Sequence, residues 1–183
     1  MNKVETLLDE DVRKFLLRLD DTTPVNFKGL IGLIEEHNIP VIQKGIMGGI
    51  GFASEFEVYL DILQLDRYRD SSKIAFIILH ELSHYFRNQK LEPGHIEKTY
   101  RNPDYDAFIV DVIYEEMFAN RLAHLLFYQL NGDTIDFYPS DYNHYNVCMQ
   151  PIYDMVNIGN KTLEDIIEAI TFDREREVID QLI

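Results

Sequence analysis

The stretch "KIAFIILHELSHYF", residues 73–86, decides how the chain is read. Most of it is apolar enough to be buried, yet its centre carries His80, Glu81 and His84. The run is long for a strand, and its apolar positions suit a helix packed into a core. On a helix, positions i and i+4 share a face, so both imidazoles of an HExxH sequence can reach one ion. With 6 His and 15 Glu in 183 residues, a chance HExxH arises in roughly 0.02 chains of this composition. A core helix would otherwise bear the cost of burying two histidines that need hydrogen-bond partners. The pattern therefore points to a metal site, with satisfied core histidines as the plain alternative.

Zinc accepts two such nitrogens, needs a third protein ligand and leaves a fourth position for water. Glu81 follows the first histidine and faces that open side. It is the expected general base, passing a proton from water to a leaving amine. The third ligand is expected from a later helix, "YEEMFANRLAHLLF", where Glu115 and Glu116 are the candidates. Glu116 is preferred because Asn120 stands one turn further along the same face and can fix the tautomer of a ligating histidine. Glu115 instead shares its face with Phe118, Leu122 and Leu126. In isolation, an adjacent pair of glutamates on a helix is usually a solvated face.

Outward from the motif, the chain reads as one domain with an acidic surface. Its length is ample for a core, and hydrophobic residues make up 46%. The formal charge of -15 argues against direct binding to nucleic acid, whose phosphates need Lys and Arg, but would attract a basic protein. One cysteine, Cys148, excludes an internal disulfide framework. No signal-like run and no stretch of membrane-spanning length is present, so a cytoplasmic location without a membrane anchor is expected.

The expected fold class is α+β: a mostly helical core with a small antiparallel sheet preceding the HExxH helix. Residues 2–19 carry apolar positions at helical spacing, and a second helix is expected over about 25–36. "VIQK" (41–44) is a short strand candidate. "GIMGGIG" (45–51) is read as a hairpin turn rather than a phosphate loop, because a strand follows it and no Lys does. "SEFEVYLDI" (54–62) alternates, with Phe56, Val58, Leu60 and Ile62 on one face and Glu55, Glu57, Tyr59 and Asp61 on the other. Such a strand beside a metal could bind an extended peptide by its backbone. Asp70 or Ser71 should cap the histidine helix, and "LEPGH" (91–95) should end it. Asn102 and Pro103 should open the next helix, and Asn131-Gly132 should close it. A final helix is expected from about Leu163.

At these residues the chain resembles the ImmA/IrrE family of zinc metallopeptidases. The resemblance covers residues 24–130: "TPVNFKGLIGLIEEHNIPV", then "GGIGFASEFEVYLDI", then "FIILHELSHYF", then an E-x-x-A-N-x-x-A helix seen as "EMFANRLAHLL". Ser83 stands where the family often has Gly. Phe118 occupies a position often acidic in the family, which favours Glu116 as the ligand. The proline that often follows the paired leucines is absent after Leu126. The resemblance implies a zincin-like (gluzincin) core spanning 24–130 within a single metallopeptidase domain of 1–183, flanked by an N-terminal helix (1–22) and a C-terminal helical extension (131–183). It implies a Zn2+ site held by His80, His84 and Glu116, with Glu81 catalytic. It further implies a cytoplasmic protease that cleaves a DNA-binding repressor, typically encoded nearby on a mobile element such as a phage or in a stress-response operon. No helix-turn-helix is evident, so the partner is expected to be a separate chain.

Other residues carry weaker expectations. His124 lies on the Glu116–Asn120 face and could stand near the metal, or be a partly exposed histidine. His95 reads as a loop residue that could face the cleft. His144, Tyr142 and Tyr145 are candidates to stabilise an oxyanion. His37 and Cys148 read as structural. Against the protease stand a non-catalytic zinc-containing regulator that binds a repressor or toxin, and a zinc hydrolase acting on a non-peptide bond.

Overall fold

A computed structural model describes residues 7–135, apart from residues 48, 92, 102 and 104. The first helix, α1 (Glu10–Thr22), starts later than its apolar spacing suggests. Asp9 caps it, accepting a hydrogen bond from the Asp11 N–H, and residues just before the cap are extended. There the Asp9 N–H donates to Val41 O and the Val41 N–H donates to Leu7 O, so Leu8 bridges to β1 in parallel. Backbone pairing and a local cap outweigh helical periodicity at Leu7 and Leu8. Val12, Phe15 and Leu16 are the buried stripe of α1.

Helix α2 (Phe27–Glu36) is capped by Asn26, whose side chain accepts from the Gly29 N–H. The Asn26 side-chain amide also donates to Leu130 O, and the Asn26 backbone N–H donates to Asn131 Oδ1, so the start of α2 is tied to the end of the last helix. Asn38, with φ of 52°, turns the chain out of α2, as an Asn after a helix commonly does.

Strands β1 (Val41–Gln43), β2 (Gly51–Ala53) and β3 (Val58–Leu60) form one sheet in the order β1-β3-β2. β3 lies parallel to β1 and antiparallel to β2. The sheet is therefore mixed, not antiparallel as expected. The glycine-rich segment is not a hairpin turn either, since β1 and β2 are not neighbours and the segment carries the chain past β3. The actual hairpin is β2–β3, turned by Ser54–Glu57. Ser54 Oγ accepts from the Phe56 and Glu57 N–H groups and donates to Glu57 O. That side-chain turn stops the ladder at Ala53 and Val58. The expected strand 54–62 thus shrinks to three residues: Val58 and Leu60 do point inward, but Phe56 is 76% exposed. At the other end Asp61 accepts from Leu63 N–H and Gln64 N–H and starts the short helix α3 (Ile62–Leu65).

Helix α4 (Ser71–Phe86) is capped by Asp70 and is buried along most of its length, from Ile74 to Phe86. It packs on the sheet on one side and on α6 on the other. Past Phe86 a π-helical turn (Arg87–Leu91) prolongs it, Gly94 reverses the chain at φ of 76°, and a short helix α5 (His95–Tyr100) follows that the sequence did not announce. Helix α6 (Tyr105–Asn131) ends at Gly132, φ 71°, as the Asn-Gly pair suggests. Asn102 and the segment from residue 136 onward, with the expected final helix, lie outside the described residues. No helix among the described residues is long and apolar enough to cross a membrane.

Candidate metal centre

Helices α4 and α6 run antiparallel, and their i,i+4 faces meet at the motif. His80 and His84 come from α4, one turn apart, and Glu116 and Asn120 from α6, one turn apart. His80 Nε2 lies 3.2 Å from Glu116 Oε2, and His84 Nε2 lies 3.6 Å from Glu116 Oε1. The two Nε2 atoms are 3.0 Å apart. His80, His84 and Glu116 offer ligand atoms within 4.8 Å of one another, a group that could hold a metal ion.

The opposite edges of the rings explain why. His80 Nδ1 is 3.0 Å from Asn120 Oδ1, and His84 Nδ1 is 2.6 Å from Glu115 Oε1. An oxygen acceptor at each Nδ1 selects the tautomer with the proton there and the lone pair on Nε2. Two neutral rings in that tautomer would turn two lone pairs on each other at 3.0 Å, beside a carboxylate. Such a cluster requires a positive charge, supplied either by a proton on His84 or by a cation between the nitrogens. Zinc–nitrogen distances of about 2.0–2.1 Å fit two nitrogens at this separation. The donor set of two imidazoles and a carboxylate therefore fits the implied metal.

The electrostatics agree. Burial opposes charge on His84, but the Glu116 charge and the hydrogen bond to Glu115 outweigh it and hold the ring well above its usual pKa. Burial would raise Glu116, yet the His84 charge and contacts with both rings hold it well below the ordinary carboxylate range. Burial would likewise raise Glu115, but His84, His95 and Arg87 bring it down to about 2.

Glu81 stands on the sheet side of α4. An added Cβ on Gly51 would meet Glu81 Cγ at 2.5 Å and Cδ at 2.9 Å, so the glutamate lies directly on the backbone of β2. The Ala53 backbone N–H faces the Glu81 carboxylate and favours its charged form. Burial pushes Glu81 up, partly offset by His80 and His84. The ladder sets the direction of the backbone groups here. Ile50 pairs with Asp61 and Ser54 with Glu57 through hydrogen bonds, so the alternation of an antiparallel pair turns Gly51 and Ala53 away from β3. β2, not β3, is therefore the strand at the edge beside Glu81.

The remaining sequence candidates divide. Glu115, fully buried on the face with Phe118, Leu122 and Leu126, contacts the far edge of His84 rather than joining the Nε2 cluster. His95 is not a loop residue: it opens α5 with its Nε2 2.7 Å from Glu115 Oε2. His124 packs its ring on Phe76, centroids 4.6 Å apart, and is not in the ligand group. His37 caps α2 edge-on to Phe86, in keeping with a structural role. His144, Tyr142, Tyr145 and Cys148 lie outside the described residues. Arg87, whose Nη1 is 2.8 Å from Glu115 Oε2, was missed, because nothing in the local sequence marks it off from a surface arginine. No family model matches the chain, and comparison with curated proteins and with solved structures finds no match.

Proposed function

We propose that the protein is a zinc-dependent endopeptidase with a zincin-like core, in line with the ImmA/IrrE resemblance of residues 24–130. The observation that carries the reading is the convergence of His80 Nε2, His84 Nε2 and the Glu116 carboxylate beside Glu81 and the edge of β2. His80, His84 and Glu116 would hold the ion. A bound zinc ion would supply Lewis-acid chemistry, acidifying a water and polarising a carbonyl.

The chain's own residues supply the rest. Glu81, with its carboxyl raised by burial, holds a proton taken from the attacking water and delivers it to the leaving amine. Asn120 and Glu115 keep the two imidazoles turned with Nε2 inward. The outward backbone groups of Gly51 and the Ala53 carbonyl would give an extended peptide a strand edge to pair with next to Glu81. The formal charge of -15 favours a basic protein substrate, as a DNA-binding repressor would be.

The test is Glu81→Gln in the full chain, with candidate repressors as substrates. The variant should keep its metal and its partner while losing cleavage. Full biological activity in that variant would instead establish a non-catalytic regulator that acts by binding.

A further inference from the structure

The buried cluster around Glu115 reaches well beyond the metal group. Glu115 is 0% exposed, and its Oε1 is 2.6 Å from His84 Nδ1. Its Oε2 lies 2.8 Å from Arg87 Nη1 and 2.7 Å from His95 Nε2. Arg87 belongs to the π-helical turn and His95 to α5, so one carboxylate of α6 grips three successive parts of the chain. Further contacts hold the same segment in place. The Arg87 guanidinium lies over the Phe118 ring of α6, 4.9 Å from its centre. The side chain of Asn88, itself buried, accepts from the Ile96 N–H, and Thr99 Oγ1 is 3.2 Å from His95 Nε2.

A buried ionic cluster of this kind is a poor way to fill space, since apolar side chains of similar volume would do so at no desolvation cost. What apolar residues cannot do is orient an imidazole. A carboxylate at Nδ1 fixes the tautomer and makes Nε2 a stronger donor to a metal. It stays in place only while its own charge is compensated from the other side.

We propose that Glu115 is a positioning residue for His84, and that Arg87 and His95, by holding Glu115, couple the affinity of the metal site to the docking of the π-helical turn and α5. This rests on the metal-site reading above and on no assumption about substrate. Metal held by His84 then also secures the π-helical turn and α5, and loosening that segment weakens the metal.

The test measures zinc affinity of the full chain by competition with a chromogenic chelator, together with urea unfolding with and without zinc. Glu115→Gln should still take one zinc, with affinity lowered about 10–100-fold, and His95→Gln should lower it by a smaller factor of about 3–10. The gap between zinc-loaded and zinc-free stability should narrow in step, by about 1.4 kcal/mol per tenfold. A merely structural role would lower both curves equally and leave the gap unchanged; that result, or affinities within about twofold of wild type, overturns the proposal. Should Glu115→Gln fail to fold, His95→Gln and Arg87→Lys give the same reading from the far side of the cluster. Wild-type protein that takes up no zinc would overturn the metal reading and this proposal together. Wild-type binding with unchanged variants would overturn this proposal alone.

Discussion

Gly51→Ala is the sharpest perturbation of the proposed chemistry that leaves every proposed ligand untouched. The new Cβ would stand 2.5 Å from Glu81 Cγ and 2.9 Å from its Cδ and Oε1. Carbon atoms settle at about 3.5–4.0 Å, so Glu81 or β2 must give way by about 1 Å. The nearest clash is with Cγ, close to the root of the side chain, and a rotation of the carboxylate alone does not relieve it. Overpacking of this kind costs about 1–3 kcal/mol, while replacing Gly by Ala stiffens the unfolded chain and returns about 0.4–1 kcal/mol. The net loss of stability should be about 1–2 kcal/mol. A general base displaced by about 1 Å should cost about 100-fold in turnover. Zinc content should not change, because His80, His84 and Glu116 are anchored on α4 and α6. The assay is turnover of a quenched-fluorescence peptide library, with metal content and urea midpoint measured on the same samples. Turnover within about threefold of wild type would refute the placement of Glu81 against β2 as its working position.

Other consequences follow from the same contacts. Asn120→Ala removes the oxygen that selects the His80 tautomer and should lower zinc affinity about 10–100-fold, read by chelator competition. In metal-free protein the Glu115 pKa of about 2, against 4.5 for the free side chain, means that its contribution is complete above pH 4.5 and is lost as the pH falls toward 2. That loss should amount to about 3 kcal/mol in urea unfolding, and be absent from Glu115→Gln. His84 shifts the other way: its contribution to metal-free stability is present below its unfolded pKa of 6.5 and is lost as the pH rises through its higher folded value. Zinc taken up near neutral pH must therefore expel that proton, which calorimetry in buffers of differing ionisation enthalpy would count. Asp61→Ala, which strips the cap of α3 and the acceptor of the Ile46 N–H, should cost about 1–3 kcal/mol of stability without changing metal content.

The parts of this site that lie within one helix were legible in the sequence. Spacing alone put His80 and His84 on one face, and the turn-length offset to Asn120 favoured Glu116 over Glu115; these three do come together. Glu115, the less favoured ligand candidate, is buried with Phe118, Leu122 and Leu126 and meets His84 from its Nδ1 side. Local chemistry also narrowed the cap to Asp70 or Ser71, of which Asp70 serves, and marked the Asn131-Gly132 stop. What escaped depends on contacts between distant segments. The Ser54 side-chain turn cuts a well-alternating stretch to three strand residues and leaves Phe56 outside, where periodicity had placed it inside. Insertion of β3 between β1 and β2 makes the sheet mixed, and no pattern within a strand encodes its neighbour. The Arg87–Glu115–His95 cluster needs the π-helical turn and α5 to bring its members together, and nothing local to Arg87 or His95 points to Glu115.

The account rests on His80, His84 and Glu116 closing around a metal ion. Elemental analysis of protein purified without chelator tests this most directly, with His84→Ala as the control. The account predicts close to one zinc per wild-type chain and none retained by the variant. Wild-type protein that carries no metal and takes up none from added zinc would contradict it, and would leave the histidines as members of a protonated structural cluster.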